Sequence, residues 1–450
     1  MAVPEMRGLK RPPKANWRKE KKYSMLEQIL TWQNLGTAIA QVKRNKGSGG
    51  TDGMQTEDIG AYIQAHGNTL RKQILEGSYK PSAVRTVEIP KPQGGKRKLG
   101  IPTVIDRVIQ QAISQQLTPI YEKQFSNQSY GFRPGRNAHQ AVNQAQKYLN
   151  EGKIWVIELD LEKFFDKVNH DRLMQLLSKT IADKRLLKLI RAYLRSGIME
   201  DGTVSQRIEG TPQGSPLSPL LSNIVLDDLD KELEKRGHSY VRYADDCSIY
   251  VKSESAAKRT AASIIRYIEE ELLLKVNREK TRISQPEEST LLGFSFQLHK
   301  DGVWEIRIAG KAVGRIKEKC KVITSRSNGM SEEERLKKLK QVTEGWVNYF
   351  IIAMAHPVME SLDGFVRTRL RICQWKTWKK PSARIAGLLK AGVKRQRAEK
   401  WGYSSKGYCR VANSPILQTT LTNNYFVKRG YVSFLTTYET KRRNAAKPLF

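Results

Sequence analysis

The segment Arg242-Tyr243-Ala244-Asp245-Asp246-Cys247 decides how this chain folds. Apolar runs flank it, Tyr240–Tyr243 before and Cys247–Val251 after, so it reads as two strands joined across Ala244-Asp245-Asp246. Adjacent carboxylates at a tight turn repel each other unless a cation shares them. Taken alone, an Asp-Asp pair is most often an ordinary turn. Upstream, however, Ile154–Leu159 is a short apolar strand that ends at Asp160. Laid beside the hairpin, that strand would complete an oxygen site suited to two Mg²⁺ ions about 4 Å apart.

Working outward, Arg172–Met199 reads as helical and is followed by a small hairpin with Asp201-Gly202 at its turn. Leu217–Arg236 is a helix that stops at Gly237, Ser255–Leu274 is another, and Leu291–Phe296 is a strand. The middle is therefore β-α-α-β-β-α-β, close to a split β-α-β sheet with helices on one face. Toward the N-terminus lie a helix over Met25–Lys43, a Gly-rich loop over Asn45–Gly53, and a hairpin of Val84–Pro90 and Arg97–Ile101 turning at Gln93-Gly94-Gly95. The spacing of Val104, Ile105, Val108, Ile109, Ala112, Ile113, Leu117 and Ile120 predicts a long amphipathic helix. Beyond the sheet, Leu336, Leu339, Val342, Trp346 and Phe350 share one helical face, and Val358, Leu362, Phe365, Val366 and Leu370 suggest a partner helix. The fold class is α+β.

The chain has 450 residues, enough for two to four domains, and carries 79 Lys and Arg against 45 Asp and Glu, a net charge of +34. Such a surplus opposes folding and makes sense when a polyanion neutralises it. Residues 1–22 hold eight basic residues and Pro12-Pro13, which reads as a flexible basic arm. From Arg371 to Phe450 there are 18 basic and 2 acidic residues, interleaved with Trp375, Trp378, Trp401, Tyr403, Tyr408, Tyr425, Phe426 and Tyr431. Cations for phosphates and rings for bases are what nucleic-acid binding requires, although many of these rings could equally be core. Cys247, Cys320, Cys373 and Cys409 include no C-x-x-C, against a disulfide scaffold or structural zinc module. The six histidines form no metal spacing, and His170-Asp171 reads as a helix cap. No apolar run approaches the roughly 18 residues of a membrane span, and no signal core follows Met1. The expected location is cytoplasmic, with nucleoid association when bound to DNA.

Tyr243-Ala244-Asp245-Asp246 resembles the reverse-transcriptase signature. Around it, in the family's order, stand Ser129-Tyr130-Gly131-Phe132-Arg133-Pro134-Gly135-Arg136, Asp160–Phe165, Thr211-Pro212-Gln213-Gly214-Ser215-Pro216-Leu217-Ser218-Pro219 and Leu292-Gly293-Phe294. Gly345-Trp346-Val347-Asn348-Tyr349-Phe350 looks like the maturase-specific motif, so the chain is most similar to group II intron-encoded reverse transcriptases, or maturases. The resemblance runs from about Tyr23 to the C-terminus. It implies a right-hand polymerase with basic arm 1–22, N-terminal extension and fingers 23–150, catalytic palm 151–300, α-helical thumb 301–376 and a small basic DNA-binding domain 377–450.

The resemblance also assigns roles. Asp160, Asp245 and Asp246, with the Leu161 backbone carbonyl, would hold two Mg²⁺, and Lys280 would protonate the leaving pyrophosphate. Lys91 and Arg97 would meet the dNTP triphosphate, Phe165 would exclude a 2′-hydroxyl, and Gln213 and Gly214 would line the template–nucleotide pair. Arg133, Arg136, Lys376, Lys379, Lys380, Arg395 and Arg397 would contact nucleic acid. Ser215 stands where the family often has glycine, and with no paired cysteines near Phe450 an H-N-H endonuclease is not expected, which resembles the compact group IIC-like lineage. Such a protein is expected to prime from an existing 3′ end. The implied activity is RNA-directed DNA polymerisation during retrohoming, together with binding of the intron RNA to assist splicing. Target DNA and a primer strand are the further partners, no membrane is involved, and the oligomeric state stays open between monomer and homodimer. The alternatives are a splicing-only maturase and a relative recruited to repair or defence.

Overall fold

Among the described residues, ten strands form in chain order: β1 (Val84–Pro90), β2 (Lys96–Ile101), β3 (Trp155–Leu159), β4 (Ile198–Glu200), β5 (Thr203–Ser205), β6 (Ser239–Tyr243), β7 (Asp246–Val251), β8 (Arg282–Ser284), β9 (Phe294–Leu298) and β10 (Trp304–Ile308). The computed structural model describes residues 24–90, 95–200 and 203–446. The arm 1–22, Lys91, Gln93-Gly94 and Asp201-Gly202 lie outside the described residues, as does the Arg97 side chain. By its internal packing the chain divides into two units: 24–87, 98–121 and 170–218 form one, and 88–97, 122–169 and 219–446 the other.

The first unit holds most of a sheet in the order β2-β1-β4-β5, in which Val84 lies parallel to Ile198 and β4 turns back on β5. The same unit holds most of the helix Val104–Glu122, whose Val104, Val108, Ile109, Ala112, Ile113 and Leu117 are all buried as their spacing predicts. Two expected helices are each broken by a cap. Met25–Lys43 becomes Met25–Ile29 and Trp32–Asn45, because the Thr31 side chain accepts from the Asn34 N–H. Arg172–Met199 becomes His170–Thr180 and Lys184–Arg195. Here the Asp183 carboxylate accepts from the N–H groups of Arg185 (3.0 Å), Leu186 (3.4 Å) and Leu26 (3.0 Å). An acceptor side chain at this position satisfies helix-end donors that would otherwise be orphaned, so a new helix starts.

The second unit is built on an antiparallel sheet in the order β6-β7-β3-β8. Its fourth strand is Arg282–Ser284, not the expected Leu291–Phe296. That later segment closes a tight bridge between Leu291 and Phe294 and then runs into β9, which pairs with β10. Both faces of the sheet are covered rather than one: consecutive residues Val156 and Ile157, Tyr240 and Val241, and Ile249 and Tyr250 are all buried. The helix Ala138–Asn150 packs against β6, β7 and β10, and Glu254–Glu270 against β3, β7 and β8.

From Gly310 the second unit is helical, with Gly310–Ile323, Glu332–Phe350 and His356–Thr377 as its longest elements. On the middle helix the buried stripe is Leu336, Leu339, Thr343, Val347 and Phe350, whereas Val342 and Trp346 are only half-buried. Asp363, buried on the third helix, accepts from the Tyr431 and Ser433 hydroxyls and from the Phe434 and Leu435 N–H groups, which docks the last helix, Phe434–Ala446. Among the C-terminal rings, Trp375, Phe426 and Tyr431 are core, while Tyr403 is 72% exposed. No helix among the described residues is long and apolar enough to cross a membrane.

Burial opposes ionisation of Asp183, but its three N–H partners outweigh it and hold its carboxyl below the ordinary carboxylate range. Asp183→Ala is expected to lower unfolding free energy by about 1 kcal/mol at neutral pH in a denaturant titration. A depressed folded pKa stabilises above the unfolded value and is lost as pH falls through the folded one. The gap between wild type and variant therefore closes in acid.

Candidate active site

The register of the second unit's sheet brings the acids together. Leu159 lies opposite Cys247 and Tyr243 opposite Asp246, so Asp160, one step beyond Leu159, falls beside the β6–β7 turn. Only two residues, Ala244 and Asp245, separate the paired positions. Ala244 takes a left-handed backbone with φ of +58°, which costs a residue with a Cβ on the order of 1 kcal/mol. The turn is crowded from outside as well. A Cβ on Gly131 would sit 2.2 Å from the Ala244 nitrogen, so only glycine fits there.

Asp160 is partly buried, and its carboxyl is raised above its ordinary value. Burial is the main cause; Lys280 opposes it, and the negative charge of Asp245 adds to it. Lys280 Nζ stands 3.8 Å from Asp160 Oδ2. The Leu161–Val276 bridge bonds through the Asp160 carbonyl and the Glu162 N–H, so the Leu161 carbonyl takes no part in it. Among the described residues no three His, Cys, Asp or Glu side chains form a ready-made metal cage. The donors nevertheless suit a hard divalent cation. Asp245 and Asp160 repel each other, and Mg²⁺ is ordinarily held by one or two carboxylates together with substrate phosphates and water.

Asp160, Asp246 and Lys280 open on a cleft of about 1300 Å³. Glu158, Glu279 and Arg282 line it beside them, and the helices Gly310–Ile323 and Glu332–Phe350 supply a wall that includes Lys311, Arg315, Lys319, Lys338, Trp346 and Tyr349. Sequence reasoning missed the cations of this wall. The i, i+4, i+8 spacing of Lys311, Arg315 and Lys319 was the available signal, since it places all three on one helical face.

The other expected residues distribute as follows. Phe164 is core, and half-buried Phe165 meets it edge-on with ring centroids 5.3 Å apart. In the first unit, the Gln213 carbonyl accepts from the Gly100 N–H, and Gly214 has φ of +113° with a virtual Cβ 2.9 Å from the Gly100 oxygen. Ser215, the departure from the glycine expected there, is buried and donates its hydroxyl to Gln110 Oε1.

Arg133 is a correction. Its side chain is 3% exposed, forks onto Glu122 and donates to the Ser126 and Ser129 carbonyls, so it holds a loop rather than facing a template. Arg136 bonds Asn127 Oδ1 at 2.7 Å, and next to Arg133 the unforeseen Phe132 is 51% exposed at φ of +59°. Lys379, Lys380 and Arg397 are exposed, Lys376 donates to the Arg326 carbonyl and Arg395 pairs with Glu399.

Residues 89–296 match the family described as reverse transcriptase (RNA-dependent DNA polymerase), and residues 313–392 match the group II intron maturase-specific domain. The chain is 32% identical to Protein YkfC of Escherichia coli, over 60% of this chain and 80% of that protein. It is 29% identical to the group II intron-encoded protein LtrA of Lactococcus lactis subsp. cremoris, over 62% of this chain and 57% of LtrA. It is 35% identical to the putative COX1/OXI3 intron 1 protein of Saccharomyces cerevisiae, over 41% of this chain but 22% of that protein. The chain thus spans little more than half of LtrA and about a fifth of the yeast protein.

Because the Gly131 Cβ would collide with backbone rather than with a movable side-chain end, Gly131→Ala forces the turn or the loop to shift. Chemical denaturation is expected to show a loss of about 1–3 kcal/mol.

Proposed function

Because the chain belongs to the group II intron-encoded reverse transcriptases, RNA-directed DNA polymerases that carry a maturase-specific domain, we propose that it copies its intron RNA into DNA during retrohoming and binds that RNA to assist splicing. The observation that carries the reading is the strand register that sets Asp160 beside the Ala244-Asp245-Asp246 turn, at a cleft with a basic opposite wall. Residues 23–150 are assigned to the N-terminal extension and fingers, 151–300 to the palm, 301–376 to the thumb and 377–450 to a DNA-binding domain.

Asp160, Asp245 and Asp246, with the Leu161 carbonyl, are the proposed ligands of two Mg²⁺. Bound there, these ions would neutralise the dNTP phosphates and lower the proton affinity of the primer 3′-hydroxyl. Lys280 is poised to give a proton to the departing pyrophosphate, since its ammonium already lies beside Asp160. Lys91 and Arg97 would meet the triphosphate, and Gln213 and Gly214 would line the templated pair. The half-buried Phe165 ring, steadied by Phe164, would leave no room for a ribose 2′-hydroxyl. Arg136, Lys376, Lys379, Lys380, Arg395 and Arg397, together with the basic cleft wall, would hold intron RNA, target DNA and primer. A cytoplasmic location with nucleoid association belongs to the same proposal.

Primer extension on an RNA template with Mg²⁺ and dNTPs tests the polymerase half. Asp245→Ala is expected to lose at least about 10²-fold in kcat while still promoting splicing of the intron RNA at low magnesium. If the wild type splices but never extends, the acids are a relic and the protein is an RNA chaperone. Phe165→Val should narrow the preference for dNTP over rNTP by about tenfold or more, read as the ratio of kcat/KM values.

A further inference from the structure

We propose that Arg242 is a positioning residue for polymerisation: from inside the protein it grips the Ala244 carbonyl and so aims the turn that carries Asp245. The inference rests on the polymerase reading above. The Arg242 side chain is 1% exposed, and its Nε and Nη2 fork onto Asp230, itself fully buried, at 2.7 and 2.5 Å. That fork leaves Nη1, which donates to two acceptors at once, Asn223 Oδ1 at 3.0 Å and the Ala244 carbonyl at 2.9 Å. Asn223 and Asp230 are seven residues apart on the helix Ser218–Lys235, hence on one face of it.

The backbone of Arg242 is held equally firmly. Its N–H donates to the Gln128 carbonyl and its carbonyl accepts from Tyr130 N–H. Asn223 closes the circuit by donating Nδ2 to the Gly131 carbonyl at 2.9 Å, next to the glycine that presses on the turn. Helix, loop and turn therefore meet at one guanidinium.

Ala244 explains why such a grip is needed. Alanine disfavours a φ of +58°, so an unrestrained turn would relax and swing the next residue, Asp245. Lysine could neutralise Asp230, but a single ammonium cannot reproduce the fork and also span Asn223 and Ala244. A role confined to fastening the helix to β6 would require only the Asp230 contacts; the bond to Ala244 is the one that reaches the site.

The test compares wild type with Arg242→Lys, Asn223→Ala, Ala244→Gly and the Asn223→Ala/Ala244→Gly double variant. Primer extension, primer–template affinity and amide hydrogen exchange are measured on each. Arg242→Lys and Asn223→Ala are expected to lower kcat about tenfold with KM for dNTP and primer–template Kd within about twofold. Exchange of the Asp245 and Asp246 amides should accelerate about tenfold while β3 amides are unchanged. Glycine adopts the left-handed conformation without strain, so in the Ala244→Gly background the loss from Asn223→Ala should shrink to less than about threefold.

Equal losses in both backgrounds, or unchanged exchange at the turn, would overturn the proposal. Should Arg242→Lys fail to fold, Asn223→Ala carries the test, because it removes no charge. If even the wild type does not extend a primer, the polymerase reading fails. The exchange data then still decide whether this network holds the turn.

Discussion

A guanidinium sealed from water keeps its charge only when acceptors surround it, and Arg242 has acceptors on every side. Burial pulls its pKa down, yet the Asp230 carboxylate more than restores it. Breaking one partner of such a pair typically costs about 3–5 kcal/mol, because the other is stranded without solvent. That penalty locks the helix Ser218–Lys235 to β6. β6 in turn fixes β7 through their hairpin, and β7 fixes β3 by register, so the location of Asp160 follows from pairing that begins at this ion pair.

Like charges gathered this way are held by the frame against their own repulsion. Burial is the main cause of the raised Asp160 carboxyl, the Asp245 charge adds to it, and the nearby Lys280 ammonium offsets part of it. Across the cleft from Asp160 and Asp246, the helices Gly310–Ile323 and Glu332–Phe350 present Lys311, Arg315, Lys319 and Lys338. A phosphate backbone lying in the cleft would answer that wall, while divalent cations would answer the acids. Part of the +34 surplus thus lies on this wall.

Much of this was legible in one dimension. The β6–β7 hairpin, the apolar strand ending at Asp160, the helix after Pro102 and the two paired helices beyond residue 330 all follow from apolar periodicity and turn chemistry. The breaks at Thr31 and Asp183 escaped because a polar residue inside an amphipathic pattern looks like a solvated face until its carboxylate or hydroxyl is seen capping a helix. The strand Arg282–Ser284 escaped because three residues beginning with arginine carry no periodic signal; only pairing with β3 makes them a strand. Arg133 misled for a related reason. A cation in a Gly- and Pro-rich loop reads as a ligand-binding group, and only the proximity of Glu122, eleven residues away, turns it inward.

By itself the sequence determined most of the longer elements, the acids that belong to one hairpin and one strand end, and a net charge suited to a polyanion. These are matters of local propensity, spacing and net charge, which act along the chain. Tertiary structure alone decided which cations face the cleft, that Val347 rather than Val342 and Trp346 enters the core, and that an arginine beside the signature grips the turn from within. Those outcomes depend on which side chains meet across long separations in the chain. Neither the periodicity nor the composition of the chain records that.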